Sequence, residues 1–83
     1  MSTLAAAEIL ANPHAFNPQA TYVYAYADAE TSLTVGYQSA DAVRDIMARV
    51  CAQHEGVTGE YVRNGVIFRS ADRSIVWSFT LAD

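Results

Sequence analysis

The chain of 83 residues is long enough for one domain with one hydrophobic core, and its hydrophobic content of 52% argues against a disordered protein. Nine acidic residues outnumber five basic ones, all of them arginine, for a net charge of −4. This balance disfavours direct binding to nucleic acid and suits a protein partner with a basic surface. No apolar run approaches the roughly 20 residues of a transmembrane helix, and the N-terminus lacks the basic segment of a secretory signal. We therefore expect a cytoplasmic protein that does not bind membranes.

The N-terminal segment is predicted to form a short helix followed by a loop. Ser2 or Thr3 can cap a helix that runs to about Ala11. Two Asn-Pro pairs, which begin at Asn12 and Asn17, then end the helix, because the residue before a proline disfavours the helical conformation.

A hairpin of two strands is predicted next. Alternation of side chains predicts one strand over Thr21–Asp28 and, after a short polar turn, a returning strand over Thr31–Gln38. The two faces of the first strand carry Tyr22, Tyr24 and Tyr26 on one side and Val23, Ala25 and Ala27 on the other. The small residues of the second face predict that the main helix packs there. The tyrosine face then has two interpretations: it is structural, either covered by the N-terminal helix and Phe16 or packed against cross-strand neighbours, or it is an exposed recognition surface.

The main helix is predicted from Ser39 to about His54. Ser39 is a suitable cap, Val43 and Met47 begin an apolar stripe at helical spacing, and Gly56 is a natural stop. On the polar side, Asp45 lies four residues before Arg49, which favours an ion pair.

The rest of the chain predicts three short strands. Asn64-Gly65 is a strong hairpin signal, and Ser74–Leu81 alternates apolar and polar residues. The predicted order is α-β-β-α-β-β-β. It corresponds to one α+β domain, with a helix and loop over residues 1–19 and a body over residues 20–83. The body would be a single antiparallel sheet of about five strands with one main helix on one face.

Candidate catalytic and metal-binding residues do not form a recognisable pattern. Cys51 and His54 lie three residues apart on the main helix, with His14 as a distant third, whereas a structural zinc site has four ligands. Cys51 lies near the C-terminal end of the helix, where the helix dipole opposes a thiolate. We therefore expect no catalytic residues, no metal and no cofactor, and hence a protein that is not an enzyme.

A protein-binding surface is the stronger hypothesis. Tyrosine offers a large contact area with few rotatable bonds, and carboxylates form charge-assisted hydrogen bonds with arginine and lysine. The predicted partner-binding residues are Tyr24, Tyr26, Asp28, Glu30, Asp41 and Asp45.

In its short length, acidic charge, single main helix on an antiparallel sheet and absence of catalytic motifs, the chain resembles phage-encoded anti-CRISPR proteins. The resemblance implies an inhibitor in the host-cell cytoplasm that binds a Cas protein of a type I surveillance complex and blocks its binding to DNA. The alternative is a small phage or bacterial structural or assembly protein that acts through homo-oligomerisation, with the sheet edge or the tyrosine face as the interface of a homodimer.

Overall fold

The computed structural model describes residues 3–82 as two helices and one six-stranded sheet. The elements in chain order are β1 (Leu4–Ala5), α1 (Ala6–Ala11), β2 (Thr21–Ala27), β3 (Ser32–Ser39), α2 (Ala40–Gln53), β4 (Thr58–Val62), β5 (Gly65–Arg69) and β6 (Val76–Leu81). All neighbouring strands are antiparallel, in the order β1-β4-β5-β6-β2-β3. The predicted α+β domain with a single antiparallel sheet is confirmed, with one strand more than expected. Neither helix has the length and hydropathy that crossing a bilayer requires.

The additional strand comes from the N-terminal segment. Leu4 and Ala5 pair with Gly59 and Thr58 on β4, and the amide of Ala6 donates a hydrogen bond to the carbonyl of Val57 at 3.0 Å. Consequently α1 begins only at Ala6, without a side-chain cap, and the predicted helix start at Thr3 is wrong. The other predicted cap, Ser2, lies outside the described residues. Pairing with β4 satisfies the backbone groups that another helical turn would have used.

Helix α2 forms where the sequence predicts it. The hydroxyl oxygen of Ser39 accepts a hydrogen bond from the amide of Ala42 at 3.2 Å, and His54 ends the helix. Val43 and Met47 are fully buried. Gly56 has a φ of 74°, the left-handed conformation that glycine adopts readily after a helix.

The helices cover the tyrosine face of the sheet, so the prediction that α2 packs on the face of Val23, Ala25 and Ala27 is wrong. Tyr24 lies opposite Phe79 and Tyr26 opposite Trp77 on β6, so this face offers a much larger apolar area to bury. The buried strand residues, all on this face, are Tyr22, Gly59, Val66, Phe68, Trp77 and Phe79. Both helices lie on this side, and no described element covers the opposite face.

The β4–β5 turn lies one residue earlier than predicted. Val62 pairs with Gly65, so the turn consists of Arg63 and Asn64 rather than Asn64 and Gly65. Gly65 is required for another reason: a Cβ atom at this position would collide with the backbone carbonyl of Phe79 on β6.

Arg44 connects the N-terminal segment to α2. Its guanidinium donates hydrogen bonds to the carbonyls of Leu10 and Asn12, the latter at 2.9 Å, and it lies 5.3 Å from the centre of the Phe16 ring. Arg44 lies outside the apolar stripe of α2, yet it satisfies carbonyls at the end of α1 and holds the following loop against the core.

Replacement of Arg44 by alanine should destabilise the protein by about 2 kcal/mol, because two hydrogen bonds and a cation–π contact are lost. The free energy of unfolding from urea titration measures this effect. The control is Arg49→Ala on the exposed side of the same helix, for which we expect less than about 0.5 kcal/mol. Equal losses in the two variants would contradict the assigned role of Arg44.

Candidate functional site

The six predicted partner-binding residues lie in three separate places. Tyr24 and Tyr26 are half-buried on the helix face, whereas Asp41 and Asp45 lie on the exposed side of α2. Asp28 and Glu30 lie in the turn between β2 and β3. Since β3 carries the chain eight residues away from this turn before α2 begins, roughly 25 Å of extended strand separates Glu30 from the start of α2. The structure therefore does not combine all six residues in one surface.

The tyrosines contribute mainly to the core. Tyr22 is buried, packs edge-to-face on Phe16, and its hydroxyl accepts a hydrogen bond from the amide of Asn17 at 2.8 Å. The interpretation that the N-terminal segment covers the tyrosine face is therefore confirmed for Tyr22. Tyr24 stacks on Phe79 with ring centres 4.8 Å apart, and its partial burial raises its pKa.

Asp28 shapes the β2–β3 turn. One carboxylate oxygen accepts hydrogen bonds from the amides of Glu30 and Thr31 at 2.9 and 2.8 Å, and the other accepts one from the hydroxyl of Tyr26 at 2.7 Å. The Tyr26 hydrogen bond, followed by the two amides, lowers the pKa of Asp28, and the same bond raises the pKa of Tyr26. Both carboxylate oxygens of Asp28 are therefore engaged in hydrogen bonds within the chain, whereas the nearby Glu30 is exposed.

A second turn of similar construction lies beside the first. Because Ala27 at the end of β2 pairs with Val76 at the start of β6, the β5–β6 turn adjoins the β2–β3 turn. There Asp72 accepts hydrogen bonds from the hydroxyl of Ser70 at 2.8 Å and from the amide and hydroxyl of Ser74 at 3.0 and 2.7 Å. These bonds, those of Ser74 first, lower the pKa of Asp72 to about 2.

The C-terminal end of α2 reaches the same end of the sheet. Glu55 is exposed there, and with Asp72 and His54 it lines a shallow cleft of about 300 Å³. Apart from the Arg69–Glu60 salt bridge, four carboxylates thus stand against one guanidinium at this end. We call this surface the acidic end, formed by Asp28, Glu30, Glu55, Asp72 and Arg73.

Two carboxylates of the acidic end, those of Asp72 and Glu55, were missed by the sequence-based prediction. Asp72 lies between Ser70 and Ser74, a spacing typical of a turn that a carboxylate stabilises, and this signal was available. Glu55 has no such signal, since its position depends on where α2 ends relative to the β5–β6 turn. Conversely, the predicted Asp41 and Asp45 lie outside the acidic end.

The cysteine and histidine pair of α2 faces a cleft of about 350 Å³ beside α1. The His54 ring packs edge-to-face on Trp77 at 5.4 Å, and burial raises the pKa of the Cys51 thiol, which favours its protonated form. Within residues 3–82, no group of three or more histidine, cysteine or acidic side chains is placed to hold a metal ion.

The arginines of the C-terminal half do not share a surface. Arg69 forms the one salt bridge of the described chain, with Glu60 at 2.6 Å on the open face of the sheet. Arg63 and Arg73 lie in turns at opposite ends of the sheet. The predicted pairing of Asp45 with Arg49 is not formed, because their charged atoms lie beyond 4.0 Å.

No family model, no curated protein and no solved structure matches this chain.

Acid should weaken the β5–β6 turn. The folded pKa of Asp72, about 2, lies below the unfolded value of about 3.9. Its hydrogen bonds therefore stabilise the fold fully above about pH 4, and this contribution is lost as the pH falls toward 2. The melting temperature of Asp72→Ala should therefore fall less steeply than that of wild type as the pH is lowered over this range. Identical slopes for wild type and Asp72→Ala would contradict the role of Asp72.

Tyr26→Phe should raise the pKa of Asp28 toward its ordinary value, because the hydroxyl is the largest cause of the lowering. A carbon-detected NMR titration of the Asp28 carboxyl group measures this shift. Tyr24→Phe, which removes a hydroxyl without a bond to Asp28, is the control and should leave that pKa close to the wild-type value.

Proposed function

We propose that this chain is a protein-binding inhibitor whose acidic end occupies a basic surface of its partner. The observation that carries the proposal is the concentration of charge: two adjacent turns and the end of α2 bring four carboxylates together at one end of the sheet. Such a surface attracts a basic partner over a distance and meets its arginines and lysines in charge-assisted hydrogen bonds.

The hydrogen bonds within the two turns support binding without a large loss of conformational entropy. Asp28 and Asp72 each accept three hydrogen bonds from their own turns, which hold the backbone in place. Glu30 and Glu55 are exposed and make no salt bridge within 4.0 Å in the described chain. A preorganised backbone with free carboxylates loses little conformational entropy when a partner binds.

Basic surfaces that contact nucleic acid are a natural target for this arrangement. Such surfaces carry arginines and lysines that release counterions when phosphates bind, and carboxylates can compete for the same cations. The specific form of the proposal follows the resemblance to anti-CRISPR proteins: the partner is a Cas protein of a type I surveillance complex, and its binding to DNA is blocked.

The proposal is tested on a panel of purified type I surveillance complexes with labelled duplex target in gel-shift assays. Wild-type protein should abolish DNA binding by at least one complex, and inhibition should weaken as salt rises. The double variant Glu30→Lys/Glu55→Lys should inhibit about tenfold less well or worse, because both free carboxylates of the acidic end are reversed.

The matched control is Asp41→Lys/Asp45→Lys, which makes the same change of net charge on the exposed side of α2. Its inhibition should remain near the wild-type value, and circular dichroism should verify that both double variants are folded. Failure of wild type on every complex would remove the anti-CRISPR form of the proposal. Equal losses in the two double variants would show that net charge, and not the acidic end, is responsible.

A further inference from the structure

Exposed apolar side chains are concentrated on one edge strand. Of the five large hydrophobic residues that are exposed in the described part of the chain, three lie on β3: Leu33 at 46%, Val35 at 47% and Tyr37 at 73%. Leu33 pairs with Tyr26 and Tyr37 pairs with Val23, so these two side chains lie on opposite faces of the sheet. A surface that packs on either face would reach only one of them. An extended segment beside β3 reaches both, because its own side chains alternate between the two faces.

The backbone of β3 is free to pair on its outer side. The strand is eight residues long, and no described strand lies beyond it. The amide of Asp28 donates a hydrogen bond to the carbonyl of Thr31 at 2.8 Å, which fixes the alternation of bonded and non-bonded pairs along the hairpin. The backbone groups of Leu33 therefore point toward β2. The residues whose backbone groups point away from β2 are Ser32, Thr34, Tyr37 and Ser39.

β3 lacks the charges and prolines that protect many edge strands. Residues 31–40 contain neither. The one irregularity is Val35, which has no partner on β2. It bends the strand locally, so that an incoming strand pairs with β3 in two short stretches, one on each side of Val35.

The charge around β3 indicates the chemistry of an incoming segment. The strand itself is uncharged, and it begins directly after the turn that holds Asp28 and Glu30 of the acidic end. Glu30 is exposed and makes no salt bridge in the described chain. A segment along β3 therefore meets two carboxylates at one end and no charge along its length. The complementary occupant has uncharged, β-branched residues along β3 and arginines or lysines at the end beside the turn.

We propose that a basic protein partner contributes an extended segment that pairs antiparallel with β3 as an additional strand, with its arginines or lysines beside Asp28 and Glu30. The inference rests on the proposed function for the basic character of the partner, and it adds the element by which that partner is held. Main-chain hydrogen bonds to β3 provide affinity, and the charged end sets the orientation of the segment.

The first test is an NMR titration of isotope-labelled protein with synthetic peptides of about ten residues. The probe peptide alternates valine and threonine and has three arginines at an amidated C-terminus, which antiparallel pairing places beside the start of β3. One comparison peptide has three glutamates instead of the arginines, and the other keeps the arginines but has two prolines in the alternating part. The probe should shift the amide signals of β3 with a Kd on the order of 1 mM, as expected for one short strand without other contacts. Both comparison peptides should bind at least about tenfold more weakly, because one lacks the positive charge and the other lacks backbone donors.

The role of the charged end is tested with two variants of the protein. Glu30→Lys should weaken binding of the probe at least about fivefold, whereas Asp45→Lys, the same charge change on the exposed side of α2, should bind it as wild type does. Equal weakening in the two variants overturns the proposal. So does a probe that leaves the β3 signals unchanged, or a proline peptide that binds as well as the probe. Shifts confined to residues 28–31 would show that the turn binds cations without strand pairing and would likewise overturn it.

A second test distinguishes strand pairing from the proposed function. For a type I complex that wild type inhibits, Thr34→Pro should inhibit at least about tenfold less well, because proline removes an outward-pointing donor that β2 does not use. Thr34→Val keeps this donor and should inhibit as wild type does, and circular dichroism should verify that both variants are folded. Full inhibition by Thr34→Pro would overturn strand pairing and leave the acidic end as the inhibitory surface. Binding of the probe to β3 without inhibition of any complex would remove the proposed function alone.

Discussion

The choice of which face of β2 is buried determines the rest of this structure. β2 pairs with β3 on one side and with β6 on the other, so it joins the two parts of the chain in one sheet. Its tyrosines lie in line with Trp77 and Phe79 of β6, and burial of that continuous aromatic surface brings both helices to the same side. The opposite face, with its small residues, then has no cover among the described elements. Because only one face is covered, the turns, the β3 edge and the opposite face of the sheet remain in contact with solvent.

Local signals predict the elements well, and nonlocal contacts explain where prediction fails. The cap at Ser39 and the apolar stripe of α2 are local, so its position could be predicted within a residue. Alternation along β2 separates two faces but does not indicate which one is buried, since that depends on β6, about 50 residues later in the chain. β1 has only two residues, which is too short for a periodic pattern, so it could not be predicted from the sequence. The same holds for Arg44, whose carbonyl partners lie more than 30 residues away.

In the candidate site, too, some features could be predicted from the sequence and others depend on the fold. Sequence identifies which residues carry carboxylates, but hydrogen bonding decides which of them are free to bind. Asp28 and Glu30 are two residues apart, yet the first is engaged by its own turn and the second is exposed. The proximity of Glu55 and Asp72 to this turn follows from the pairing of β2 with β6, a contact that spacing along the chain does not reveal. The acidic end is therefore a product of topology more than of any motif.

The strand order also constrains when the fold can form during synthesis. β6 lies inside the sheet between β5 and β2, although it is the last strand of the described chain. Until it leaves the ribosome, the β2–β3 hairpin with α2 and the β4–β5 hairpin with β1 are two incomplete sheets, each with an apolar face and an unpaired edge. Insertion of β6 joins them in one step that couples residues far apart in sequence, and such steps are slow. The nascent chain therefore exposes its aromatic face until β6 has left the ribosome and paired with β2 and β5.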